Sequence, residues 1–162
     1  MIEKVKSLIG NILKPDGSVD IGILILRVFT GVLMLQNHGL SKITSGSDRW
    51  ERLGHALTDM IGIDSFHVFF GFLASLAESL GAILISIGLF TRVSSFLLFF
   101  TMMIASLKHF FKGDFSELAI IYAVICIVFI ISGSGKYGLD YYFLGGSNLV
   151  FDFKKTLLNF QN

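Results

Sequence analysis

The chain has 162 residues, of which 53% are hydrophobic and only 15% are charged, and its mean hydropathy is +0.73. This composition excludes an ordinary soluble domain, and a net charge of +1 gives no reason to expect a nucleic-acid-binding surface. The length suits a single domain, and the single cysteine, Cys126, excludes both an intrachain disulfide and a paired-cysteine redox mechanism.

Both ends of the chain are amphipathic. Within residues 1–18, Ile2, Val5 and Ile9 recur at helical spacing, and lysines lie on the other side. The tail, residues 143–162, has a similar pattern. We interpret both segments as helices that lie in the membrane interface, and solvent-facing amphipathic helices are the alternative.

Four apolar runs lie between these ends. A helix needs about 20 largely apolar residues to cross a hydrocarbon core of about 30 Å, and the fourth run is short by this measure. Because a helix satisfies its own backbone hydrogen bonds, lipid favours helices for such runs. We therefore predict an all-α integral membrane protein, an antiparallel four-helix bundle that occupies residues 19–142. The runs are Val19–Leu40, Phe66–Phe90, Val93–Phe111 and Leu118–Ser132.

The longest polar segment, residues 41–65, separates the first two runs. Asp48 followed three residues later by Glu51 predicts a helix start, and Trp50 and the leucines that follow it fall on one face. We expect a short lid helix across the mouth of the bundle, with Trp50 at the level of the lipid headgroups.

Basic residues predict the orientation. They are more frequent on the side that holds both termini and the turn at Arg92 than on the opposite side. Since positive charge favours the cytoplasm, we predict that both termini are cytoplasmic.

Two charged residues fall deep inside the predicted spans, away from the ends of the helices. Arg27 lies roughly 12 Å deep in the first span, and Glu78 lies roughly 18 Å from the same surface in the second. A charge near the bilayer centre costs at least about 2.5–3.5 kcal/mol, so its presence needs a reason. We predict an Arg27–Glu78 ion pair facing the bundle interior, with Arg27 and Glu78 as catalytic residues. The alternative is a pair that only fixes helix register.

Further polar residues predict a cavity that opens at the end of the bundle opposite the termini. They lie on the inward faces or at the ends of the first three spans, and we expect them to bind a substrate or ligand. Solvated helix ends are the alternative. These residues are His38, Lys42, Ser75, Lys108 and His109.

The sequence does not predict a metal site, because the histidines lack the spacing of a three- or four-ligand centre. A haem held by His38 and His109 is a weaker alternative. No flavin, haem or iron–sulfur signature is present in the sequence.

Three motifs, in order along the chain, resemble the signatures of the DoxX family of small bacterial membrane proteins. The resemblance covers about Asp20–Tyr142. The motifs are LRVFTGVLMLQNHGLSKI with Arg27, Gly31, His38, Gly39 and Lys42, then AESLGAILISIGLFTR with Glu78, Gly81, Gly88, Thr91 and Arg92, and then GSGKYGLDYY with Gly133, Gly135, Tyr137 and Asp140.

This resemblance implies a four-helix fold in the bacterial plasma (inner) membrane. It also implies kinship with the membrane subunit of a thiosulfate:quinone oxidoreductase, and other members are associated with detoxification or oxidative-stress complexes. We therefore hypothesise a quinone-associated redox component in which Arg27 and Glu78 act on a quinone carbonyl oxygen. The alternatives are a non-catalytic scaffold that recruits a soluble enzyme and a carrier of a small lipophilic molecule. A partner subunit and a homo-oligomer are both compatible with the sequence.

Overall fold

The computed structural model of the protein describes residues 18–143, which form helices and turns and contain no strand. Apart from Ser18 and Phe143, the two predicted amphipathic ends lie outside the described residues. The described helices are α1 (Ser18–Ile43), α2 (Ser47–Ile61), α3 (His67–Ile87), α4 (Thr91–Phe111), α5 (Glu117–Ser132) and α6 (Leu139–Phe143).

Three of these helices, α1, α3 and α4, are long and apolar enough to cross a membrane. The prediction of an all-helical chain with apolar spans is therefore confirmed for these three. Helix α5 is equally apolar but has 16 residues, which cover about 24 Å. Large hydrophobic side chains are exposed along all four helices, as expected for surfaces that contact lipid.

The core lies where the four long helices meet. Helix α1 packs along the second half of α3, and α4 packs along α5. Each of the four helices contributes to one cluster of buried apolar residues. The largest of these side chains are Met34, Ile85, Leu98, Met102, Tyr122 and Phe129.

Helix α2 confirms the predicted helix but not its predicted position across the mouth of the bundle. It packs lengthwise against the first half of α3. Glycines allow this contact: a Cβ on Gly54 would lie 1.8 Å from the His67 carbonyl oxygen, and one on Gly71 would lie 1.7 Å from that of Trp50. Close backbone approach between small residues therefore places α2 beside the span rather than over it.

Two of the spans contain a π-helical turn, at Leu35–Gly39 in α1 and at Ala77–Gly81 in α3. The two turns face each other, because a Cβ on Gly39 would lie 2.3 Å from the Glu78 carbonyl oxygen. A π turn shifts the helical register of the residues that follow it, and such turns are frequent at functional sites. Helices α1 and α3 therefore come into close backbone contact at Glu78.

Candidate functional site

The meeting point of the two π turns holds a buried ion pair between Lys42 and Glu78. Lys42 Nζ donates hydrogen bonds to Glu78 Oε1 and Oε2 at 2.7 and 2.5 Å. The exposed fractions of the two side chains are 19% and 2%. Glu78 is the twelfth of the 21 residues of α3, so the pair lies near the middle of that span.

The predicted Arg27–Glu78 ion pair is wrong. Arg27 is fully buried, and its Nη1 donates to the carbonyl oxygens of Ile85 and Ser86 at 3.2 and 3.3 Å. The last carbonyls of a helix lack partners within that helix and carry partial negative charge, so they attract a guanidinium. Ile85 lies about 10 Å beyond Glu78 along α3. The carboxylate is therefore left to Lys42.

The length of α1 and the position of α2 explain why Lys42 lies beside the middle of α3. The sequence predicts a span that ends at Leu40, with Lys42 on the outer rim, whereas α1 continues to Ile43. The chain then continues into α2, which lies beside the first half of α3. Lys42 is therefore next to the middle of α3 rather than at its outer end.

Four aromatic or polar groups lie on or against the helix segments that carry the pair. The indole Nε1 of Trp50 donates to the Lys42 carbonyl oxygen at 2.9 Å, which fixes the end of α1. The ring of His38, on the π turn of α1, lies 6.3 Å from the ring of Tyr122 in an edge-on arrangement. Ser75 is buried two residues before the π turn of α3, and its hydroxyl donates to the Gly71 carbonyl oxygen.

The sequence analysis did not select Tyr122. Its hydroxyl is the only polar group among the aliphatic side chains of the segment LAIIYAVICIVFII, and this isolation was an available signal. Tyr122 is buried in the core cluster, where it faces His38. A phenol in such a position can donate or accept a hydrogen bond inside the bundle.

Lys108 and His109 lie in the last turn of α4, as predicted, but no described contact joins them to Lys42 or Glu78. His109 is exposed, and its Nδ1 lies 3.0 Å from Asp114 Oδ2. This hydrogen bond, together with one from the backbone N–H of Phe115, lowers the pKa of Asp114 below its usual value. The structure therefore separates these two rim residues from the buried pair.

The remaining histidines form a feature that sequence reasoning missed. The rings of His55 and His67 are stacked, with centroids 3.9 Å apart, where α2 packs on α3. Asp59 contacts Nδ1 of His55, and Thr58 contacts Nδ1 of His67. Within residues 18–143, no group of three or more histidine, cysteine, aspartate or glutamate side chains could hold a metal ion.

An apolar cavity of about 280 Å³ lies between α2, α3 and α4. Ala77 and Gly81, from the π turn of α3, form one part of its wall, and Leu57 and Phe100 form others. Because Phe100 is exposed, the cavity has a side towards lipid. Its shape and lining suit an uncharged, hydrophobic guest.

The end of the bundle that holds the α3–α4 turn is stabilised by Asp140. Its carboxylate accepts hydrogen bonds from the backbone N–H groups of Phe90 and Thr91 at 2.7 and 2.9 Å, so it caps the start of α4. The backbone N–H of Asp140 donates to the Gly88 carbonyl oxygen at 2.8 Å. Gly88 has a φ of +74°, and a Cβ there would lie 2.2 Å from Arg27 Nη1. This turn therefore requires glycine.

Comparison with known proteins gives one result. A sequence model for a protein family described as DoxX matches residues 22–110, which is more than half of the chain. The matched range includes α2, both π turns, Arg27 and the Lys42–Glu78 pair. No curated protein and no solved structure matches the chain.

Proposed function

The chain belongs to the DoxX family of membrane proteins, and from that premise we propose that it is a quinone-associated component of a membrane redox system. The four long helices cross a bacterial inner membrane, with both termini in the cytoplasm. The Lys42–Glu78 pair is the site where protons are exchanged with the quinone. The quinone supplies two-electron chemistry when it is bound.

The observation that carries this proposal is the depth of the ion pair. Taking two charges out of water costs several kcal/mol per ion, and their attraction repays this only with good geometry. A pair that serves stability alone has no need to lie near the middle of a span. Ionisable residues are rare inside membrane helices, and those that occur there commonly mark pathways for ligands or protons.

The surroundings of the pair are suited to proton exchange. Glu78 has no hydrogen-bond donor on its carboxylate other than Lys42 in the described contacts, so one neighbour holds the carboxylate in place. The imidazole of His38 and the phenol of Tyr122 lie beside each other on the facing helices α1 and α5. These groups can pass a proton between Glu78 and the bundle exterior through bound water.

The residues present also fit an uncharged aromatic guest with a hydrophobic tail. Carbonyl oxygens of such a guest need hydrogen-bond donors, which Lys42, His38 and Tyr122 offer. The cavity beside the π turn of α3 is almost wholly apolar and takes a hydrocarbon chain. Because the sequence has no flavin, haem or iron–sulfur signature, electrons reach the quinone from a reduced co-substrate or a partner subunit.

Quinone reduction by the purified chain tests the proposal. The full chain in lipid nanodiscs is supplied with a short-chain benzoquinone and thiosulfate, and quinol formation is followed by absorbance. We expect activity that falls at least about a hundredfold in Glu78→Gln, the usual order for losing a general acid or base. Glu117→Gln, at an exposed carboxylate in the first turn of α5, is the matched control and leaves the rate unchanged.

Two results contradict the proposal. One is the absence of quinone binding, measured by quenching of Trp50 fluorescence, in a well-folded sample with lipid present. The other is binding and turnover that Glu78→Gln leaves intact.

A scaffold that recruits a redox or detoxification enzyme is the second candidate. It is favoured by the exposed charged residues of α2, among them Asp48, Glu51 and Arg52, on a helix that packs beside a membrane span. Isolation of the chain from gently solubilised membranes would then yield a stoichiometric partner, which is lost when these charges are replaced by Ser. Recovery of the chain alone contradicts this candidate.

A further inference from the structure

The guanidinium of Arg27 has one side occupied and one side free. Nη1 donates to the two carbonyl oxygens at the end of α3, but Nε and Nη2 are buried without a hydrogen-bond partner. In a guanidinium group, Nε–H and one N–H of Nη2 are parallel and form a two-donor fork. This fork matches the spacing of two oxygens of a carboxylate, phosphate or sulfate.

Two hydroxyl groups on α4 share this property. Thr91 Oγ1 and Ser95 Oγ are fully buried, one helical turn apart, and find no hydrogen-bond partner. Serine and threonine hydroxyls inside a helix usually donate to the carbonyl four residues earlier, as that of Thr101 does. Thr91 and Ser95 instead leave their donors free within the bundle.

The fork and the first hydroxyl belong to the same end of the bundle. Gly88 is in contact with Arg27 Nη1, and its carbonyl oxygen accepts from the backbone N–H of Asp140. The Asp140 carboxylate in turn accepts from the backbone N–H of Thr91. A series of contacts therefore links Arg27 to Thr91 through Gly88 and Asp140, and Ser95 lies one turn further along α4.

Charge indicates what these donors bind. The two oxygens of Asp140 accept from backbone N–H groups of α4, and the ion pairs within residues 18–143 include none to Arg27. The Asp140 carboxylate acts on Arg27 electrostatically, but no described hydrogen bond or ion pair joins the two groups, so Nε and Nη2 of Arg27 lack an acceptor. Burial of a donor without an acceptor is costly. A ligand that brings two oxygens removes this cost, and the positive charge of Arg27 favours a ligand that is anionic.

We propose that Arg27, Thr91 and Ser95 form an oxyanion-binding site at the end of the bundle that holds the α3–α4 turn, separate from the Lys42–Glu78 pair. The ligand presents a tetrahedral or carboxylate group, with two oxygens on the fork of Arg27 and the others on the hydroxyls of α4. The group belongs to a free oxyanion or to the phosphate of a phospholipid. The proposal goes beyond the quinone chemistry and does not depend on it.

The segment that packs on the α3–α4 turn is rich in glycine. Gly138 lies against Gly88, and Gly133 and Gly135 adopt positive φ angles of 71° and 67°. Glycine has few conformational restrictions. Because Arg27, Thr91 and Ser95 are themselves fully buried, we expect the ligand to enter beside this segment.

Thermal unfolding of the full chain with sulfate as the probe tests the site. The protein is purified in detergent, stripped of lipid, and titrated with sodium sulfate against sodium chloride at equal ionic strength. A ligand that binds only the folded state raises Tm in a saturable way. We expect this shift for the original chain and its complete loss in Arg27→Gln.

The hydroxyl groups are tested independently, which keeps the experiment informative if Arg27→Gln does not fold. Ser95→Ala and Thr91→Val should each weaken sulfate binding by about tenfold or more, the equivalent of one hydrogen bond to a charged group. Thr101→Val is the matched control on the same helix, because its hydroxyl already donates to the Leu97 carbonyl oxygen. This variant should bind sulfate as the original chain does.

Native mass spectrometry before and after lipid removal distinguishes the two sources of the oxyanion. One phospholipid retained by the original chain and released by Ser95→Ala and Thr91→Val identifies a lipid phosphate. Saturable sulfate binding without such retention identifies a free oxyanion. If sulfate has no saturable effect and no lipid is retained, the buried donors are hydrated by water and the proposal is overturned.

Discussion

Lys42 and Arg27 both extend from α1 towards α3, but the structure stabilises the two cations differently. Lys42 meets a carboxylate near the middle of α3, and both charges of that pair are accounted for. Arg27 meets the carbonyl oxygens at the end of the same helix, and two of its nitrogen atoms find no acceptor. Lys42 and Glu78 thus form a closed pair, whereas Arg27 is an open cation with donors left without an acceptor.

The difference follows from where the regular helix is interrupted. At Glu78 both α1 and α3 contain a π turn, and the backbones touch at Gly39. At Arg27 both helices are regular, and α3 ends at Ile87 with its carbonyl oxygens unpaired within the helix. The carboxylate is therefore presented to whichever cation follows the π turn of α1, and that cation is Lys42.

Removal of one member of the closed Lys42–Glu78 pair should lower the free energy of unfolding more than any other change. Lys42→Met leaves the Glu78 carboxylate buried without a partner, and we expect a loss of about 3–5 kcal/mol in the free energy of unfolding. Unfolding by a graded denaturing detergent in mixed micelles measures this. Lys112→Met, at an exposed lysine just after α4, should change the value by less than about 0.5 kcal/mol. Equal effects at the two positions would contradict the pair.

A side chain added next to Arg27, the open cation, should give the next largest loss in the free energy of unfolding. In Gly88→Ala the new Cβ has an unfavourable positive φ and contacts Arg27 Nη1, so we expect a loss of roughly 2–4 kcal/mol. Gly113→Ala is the matched control, because Gly113 has a φ of +77° and no atom near its Cβ position. Its loss should be about 1–2 kcal/mol, from backbone strain alone. Similar losses in both variants would show that Arg27 does not occupy the turn.

Removal of the Asp140 cap of α4, near Arg27, should lower the free energy of unfolding by a smaller amount. Asp140→Ala removes the acceptor of two backbone N–H groups at the start of α4, and we expect a loss of about 1–2 kcal/mol. The same unfolding measurement applies, and hydrogen exchange at Phe90 and Thr91 should rise. Exchange that stays unchanged at both residues would contradict the cap.

The smallest expected effect on stability lies just after the last turn of α4, where no described contact reaches Lys42 or Arg27. The hydrogen bond from His109 lowers the pKa of Asp114 in the folded state, so its contribution to stability is present above the unfolded pKa of 3.8. That contribution is lost as the pH falls through the lower, folded value. Asp114→Asn should therefore flatten the pH dependence of unfolding at and below this range. A variant that retains the full pH dependence would contradict the assignment.

The sequence predicted the membrane spans well, but it predicted the wrong ion-pair partner for Glu78. Both outcomes have physical reasons. Apolar runs of the required length identify α1, α3 and α4, because lipid constrains length and polarity directly. Depth within a span was inferred from a constant rise per residue, which left a gap between Arg27 and Glu78 of roughly 6 Å that an arginine side chain can span. No residue pattern predicted the π turns, and a pair of glycines, Gly54 and Gly71, decided the position of α2. Such close backbone contacts depend on the partner helix.

A double-mutant cycle measures the central claim most directly, because it isolates the coupling between Glu78 and each of the two cations. The free energy of unfolding is determined for Lys42→Met, Arg27→Met, Glu78→Gln and the two doubles that combine Glu78→Gln with either cation. We predict a coupling of at least about 1.5 kcal/mol between Lys42 and Glu78 and less than about 0.5 kcal/mol between Arg27 and Glu78. The reverse order would contradict the account, because it would restore Arg27 as the partner of Glu78.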